Sequence, residues 1–224
     1  MDTTADSTVT TRSRPYRLGE EIANSITHGV GALLSVIGLI VLVAYSVLTG
    51  DPVRVVASVV YGVSLVLEYT ASTLYHALPQ PRAKHVFKIL DHSGIYLLIA
   101  GSYTPFLLIT LQGAGGWWMA AGIWALALIG IVVEGFWAYR PKWLSASVYL
   151  LMGWLAIFAI KPMVANLPPQ GVALLVAGGL AYTIGTPFYV LKKVPYFHMV
   201  WHLWVLAGSA LHFFAVLLYV LPVK

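Results

Sequence analysis

The chain has 224 residues, 59% of them hydrophobic and only 9% charged, with a mean hydropathy of +0.83. A soluble domain carries about 25% charged residues, so too little polar surface is available to cover a water-soluble globule, and an integral membrane protein is specified. The formal charge of +5 calls for no nucleic-acid partner, because cytoplasmic loops of membrane proteins collect Lys and Arg; the absence of cysteine excludes disulfides and thiolate metal sites.

Residues 1–16 are polar and contain no apolar core of a signal peptide, so they are expected to form a disordered cytoplasmic tail. The remainder, 17–224, reads as one domain. A membrane span needs roughly 20 mostly apolar residues. Seven such stretches follow, at about 22–48, 53–78, 86–111, 117–137, 143–161, 170–191 and 196–221. Turn chemistry separates them: TGDP, ALPQPR, QGAGG, YRPK and NLPPQG. The expected fold is therefore all-α, a seven-transmembrane-helix bundle with short loops. Pro105 and Pro187 are expected to kink spans 3 and 6. Ala177, Ala181 and Gly185 offer span 6 a small-residue packing face.

Basic residues alternate between the two sides. Arg12, Arg14 and Arg17 precede span 1, Arg82, Lys84 and Lys88 sit at the second connection, Arg140 and Lys142 at the fourth, and Lys192 and Lys193 at the sixth. Arg54, Lys161 and Lys224 fall on the other side. The positive-inside rule then places the N-terminus in the cytoplasm and the C-terminus outside. Trp117, Trp118, Tyr139, Trp143 and Tyr196 lie at span ends, where aromatic belts form.

The same topology collects ionisable residues at one depth. Glu21, Asn24 and His28 open span 1, His76 ends span 2, Asp91 and His92 lie early in span 3, and His198 and His202 open span 7. Histidines four apart share a helix face and can reach one metal ion. The stretch HMVWH lacks the glutamate of a metalloprotease helix. Ionisable groups inside a membrane are costly and mark functional sites by default. A third ligand must come from another helix, and His76 is the best placed; Ser72 and Glu68 precede it at one-turn intervals. Three histidines and an open position suit a catalytic zinc, with Asp91 placed to hold the metal's water. The other residues have plainer readings: His28 caps and packs span 1, His85 is solvated, His92 supports or packs, His212 bonds another helix, and Glu134 lies at the interface near Arg140.

Four stretches, EEIANSITHGVGAL (20–33), STLYH (72–76), LDHSGIYLLIAGSYTPF (90–106) and HMVWHLWVLAGSALHF (198–213), resemble the hemolysin III / progestin and adipoQ receptor (PAQR) family, within the superfamily that includes alkaline ceramidases. The resemblance runs from about residue 17 to the end. It implies a seven-helix bundle with its N-terminus inside and a Zn2+ ion near the cytoplasmic face, held by His76, His198 and His202, with Asp91 on the zinc water and Ser72 close by. It also implies a bacterial plasma-membrane protein and a lipid or acyl-chain ligand within the bundle. The favoured activity is zinc-dependent hydrolysis of a lipid amide or ester. The alternative is a non-enzymatic lipid sensor with a structural zinc. Haem between His76 and His198, and proton transport through Glu68, Asp91 and Glu134, rank below these. So does pore formation, since no span has a water-lined face.

Overall fold

The computed structural model describes residues 16–191 and 193–223; the tail expected over residues 1–16 lies, apart from Tyr16, outside them. Seven helices are long and apolar enough to cross a membrane: α1 Leu18–Leu48, α2 Pro52–Ala77, α3 Pro81–Thr110, α4 Gly116–Phe136, α5 Lys142–Asn166, α6 Pro169–Val190 and α7 Phe197–Val220. Together they make this a multi-pass membrane protein.

Local chemistry sets the ends. Pro52, Pro81 and Pro169 occupy first-turn positions, where the missing N–H costs nothing. Asp51 caps α2, its carboxylate accepting from the Val53 amide at 2.8 Å. Because Pro81 starts α3, the helix begins five residues before the apolar run, and Arg82, Lys84 and Lys88 lie in its first two turns rather than in a loop. At the opposite end of the bundle Arg54 donates to the carbonyls of Val220 (2.9 Å) and Leu221 (2.5 Å), a cation on the C-terminus of α7.

The prolines act differently. Pro105 ends the regular part of α3, and residues 106–110 widen to π geometry, as expected where a proline removes a rung of the ladder. Pro187 sits inside α6, and the helix continues to Val190. On α6 the buried small residues are Gly171, Gly178, Ala181 and Gly185, so Gly178 rather than Ala177 completes the packing face. A Cβ at Gly178 would collide with the His212 ring, and one at Gly185 with Trp201 and Trp204. These glycines let α6 and α7 approach closely.

Helices α1, α2, α3, α5, α6 and α7 form a ring in which α1 meets α7, while α4 packs outside against α3. The outer surface is apolar, with Leu33, Ile40, Leu128 and Phe158 more than half exposed, as a lipid-facing wall requires. The ring encloses a cavity of about 190 Å³ to which α4 contributes no residue.

Candidate metal centre

The cavity is apolar along most of its length, with Ile95, Leu98, Phe106, Ile157 and Val205 in its walls. Its polar end lies where the basic residues gather. There His76 (3% exposed) comes from the last turn of α2, and His198 (8%) and His202 (1%) from the first turns of α7. One nitrogen from each of the three lies within 4.8 Å of the others, so the group can hold a metal ion. The structure thus brings together the three histidines singled out in the sequence.

Hydrogen bonds orient two of the three rings. His76 Nδ1 is 2.6 Å from Glu21 Oε2. His202 Nδ1 is 3.3 Å from the Asn24 carbonyl and 3.2 Å from Thr27 Oγ1. A carboxylate or carbonyl only accepts, so each ring donates through Nδ1 and directs an Nε2 lone pair the other way. His76 Nε2 is buried with no partner among the described residues, and His202 Nε2 lies 3.2 Å from His198 Nε2. Buried imidazole nitrogens that converge in this way, two of them presenting lone pairs, make a site that a cation would stabilise. The residues present therefore fit a metal.

Around this group the structure places several side chains that sequence reasoning left in other roles. Glu21, buried at 4% exposure, bonds His76 and also pairs with Lys84 Nζ at 2.6 Å; it is a support of the centre, not merely part of a helix start. His28 is no cap: its ring stacks on His202 with centroids 3.5 Å apart, and both its nitrogens lack partners among the described residues. Glu21, Asn24 and His28 recur every three to four residues, so their shared face of α1 was the available signal. Tyr16 stacks on His198 at 5.0 Å and accepts a hydrogen bond from Lys142 Nζ at 3.0 Å, covering the site from the loop side. Burial pushes the Tyr16 phenol well above its usual range, so it remains a neutral hydroxyl. Glu20 holds this cover in place. Its two oxygens accept from the Arg17 and Tyr196 amides at 3.1 and 2.9 Å, joining the starts of α1 and α7. Tyr196 adopts φ +62°, a left-handed conformation held by that bond.

Asp91 and Ser72 line the same cavity as His198 and His202. Ser72 Oγ is buried without a partner among the described residues. Asp91 Oδ2 lies 3.9 Å from His92 Nε2. His92 Nδ1 in turn lies 2.9 Å from Glu134 Oε1, and Glu134 Oε2 lies 2.6 Å from Arg140 Nη2. Arg140 also donates to Ser145 and Tyr96. Glu134 is fully buried, which corrects the interfacial reading. Its place near a helix end looks interfacial in sequence, but the chain after α4 folds Arg140 back over it. His85 is exposed, as expected, and bonds Tyr139 at 2.9 Å. His212 is bonded across helices, to the Leu175 carbonyl of α6 at 3.1 Å, and takes no part in the three-histidine group.

Comparison with known proteins agrees with this architecture. The chain is 53% identical over 203 residues to Hemolysin-3 of Bacillus cereus, covering 91% of this chain and 93% of that protein. It is 47% identical to the Hemolysin-3 homolog of Bacillus subtilis (strain 168), covering 93% and 98%. The human Monocyte to macrophage differentiation factor is 27% identical, over 88% of this chain and 83% of its own length. No solved structure matches. The Haemolysin-III related family matches residues 16–213, and with the Bacillus relatives this establishes that the chain belongs to the haemolysin-III family.

Proposed function

We propose that this chain is a zinc-dependent intramembrane hydrolase of lipid amides or esters, with the metal centre at the cytoplasmic side. The observation that carries the reading is that His198 and His202, which group with His76, share the wall of one apolar cavity with the Asp91 carboxyl and the Ser72 hydroxyl. Three neutral imidazoles without thiolate suit zinc with an open position. Bound there, zinc supplies Lewis-acid polarisation of a carbonyl and a water acidified to a pKa near 7.

The chain's own residues do the rest. Ile95, Leu98, Ile157 and Val205 bind the hydrocarbon chain and exclude water. Asp91 accepts a proton at a carboxylate oxygen and returns it to the departing amine or alcohol. Ser72 Oγ donates a hydrogen bond to the carbonyl oxygen as negative charge develops there. Glu21, through Nδ1 of His76, orients that ligand.

The test combines metal analysis of the purified protein with turnover of a panel of ceramide-like amides and acyl esters. Stoichiometric zinc and hydrolysis are expected. Asp91→Asn should keep zinc and lose hydrolysis by roughly 10²–10⁴-fold, the usual worth of a general base. Unchanged turnover in that variant removes Asp91 from the reaction. A zinc-loaded wild type that cleaves no lipid transfers the assignment to a sensor in which the metal ties α2 to α7.

A further inference from the structure

Glu68 stands apart from every group used so far. It lies on α2 one turn before Ser72 and two before His76, and it lines the cavity at 3% exposure. Among the described residues its Oε2 has no hydrogen-bond partner, and no Lys or Arg lines the cavity. The opposing helix makes room for it: a Cβ at Gly94 of α3 would overlap the Glu68 carboxyl. Asp91 is three residues before Gly94 on the same face, so the two carboxyls occupy successive levels of one wall.

A buried polar group without a partner costs stability. Other hydroxyls that line the cavity avoid that cost internally. Ser102 donates to the Ile99 carbonyl, Thr183 to Gly179 and Thr186 to Tyr182. Glu68 has no such outlet. It lines the cavity, and from Ser72 to Glu68 is about 6 Å along the helix axis. A group meeting Glu68 is thus attached a few carbons below the bond presented to the histidines. It must be able to hydrogen-bond with a carboxyl group. A second carboxylate is excluded by charge, whereas a hydroxyl is neutral and needs no counter-ion in a dry wall.

We propose that Glu68 is a specificity-determining residue that accepts a hydrogen bond from a β-hydroxyl on the lipid's acyl chain. The assignment rests on the proposed function only in placing an acyl chain in the cavity with its polar end at the histidines.

The experiment measures binding of myristate, β-hydroxymyristate and myristylamine to the zinc-loaded, detergent-solubilised protein. Quenching of Trp154 and Trp201, which line the cavity, reports occupancy. Wild type should bind β-hydroxymyristate about ten-fold or more tightly than myristate, as one buried hydrogen bond allows. Glu68→Leu should bind the two acids equally and raise the melting temperature, because a frustrated carboxyl has been replaced by an apolar group; a merely structural glutamate would lower it. Glu68→Gln, which keeps an acceptor oxygen, should retain part of the preference. Equal binding of the two acids by wild type, failure of both to bind, or a preference that survives in Glu68→Leu overturns the proposal. So does Glu68-dependent binding of myristylamine without β-hydroxy preference, which assigns the position to a cationic amine. Neither acid has a bond to hydrolyse, so a β-hydroxy preference in a protein that cleaves no lipid defeats the hydrolase reading alone.

Discussion

Glu21 and His76 are joined by a 2.6 Å hydrogen bond between Oε2 and Nδ1, and the other Glu21 oxygen holds Lys84 at 2.6 Å. The first helix thereby sets the orientation of a ligand on the second. Outer partners of this kind typically carry 10–100-fold in metal affinity. Glu21→Gln should weaken zinc binding by about that factor while leaving stoichiometry at saturation unchanged. Competition with a chromogenic chelator measures it, and wild-type affinity in the variant would show that His76 needs no carboxylate.

Alanine at His76, His198 or His202 should reduce bound metal and lower thermal stability together, because a ligand that binds only the folded state stabilises it by mass action. His212→Ala should retain the metal, since that ring bonds α6 and lies outside the cluster. Metal content per chain and melting curves with and without chelator decide the matter. Full stoichiometric metal in His76→Ala would remove α2 from the centre.

Glu134 and Arg140 form a buried pair that also engages His92. Breaking such a pair on one side leaves an uncompensated charge and costs about 3–5 kcal/mol. Glu134→Leu alone should be strongly destabilised, and the double variant Glu134→Leu/Arg140→Leu should recover much of the loss. Both should bind metal when folded. A double variant no more stable than the single would mean that the pair does not act as a unit.

The excess of basic residues at the end that carries the three histidines predicts that this end faces the cytoplasm. The chain contains no cysteine, so single cysteines report cleanly. In intact cells an impermeant thiol reagent should label Ala114→Cys and not Gln80→Cys. The reverse pattern would invert the topology.

Much of this arrangement was legible in the sequence because each signal was local. Hydropathy set the seven helices, and one-turn spacing aligned Ser72 with His76 and His198 with His202. Depth along the bilayer then ranked His76 as the third ligand. What stayed hidden depends on which helices are neighbours. Apolar composition does not distinguish a ring helix from one packed outside, so the exclusion of α4 from the cavity wall was unreadable. Glu134 looked peripheral for the same reason: only the return of Arg140 over α4, and the contact of α4 with α3, bury it beside His92. Tyr16 precedes the first apolar span and carries no periodic signal. Its stacking on His198 depends on Glu20 bridging two segments far apart in the chain.

The ring closes where the first helix meets the last, and this has a consequence for biosynthesis. Glu21, Asn24, Glu68, His76 and Asp91 enter the bilayer with the first three helices, while the two remaining histidines are still untranslated. An incomplete chain presents a layer of ionisable groups with no α7 to cover it, at the expense that a membrane imposes on such groups. On the proposed function, metal capture would therefore mark the end of assembly. A chain truncated before α7 would have no such site and would keep its polar wall open to the bilayer.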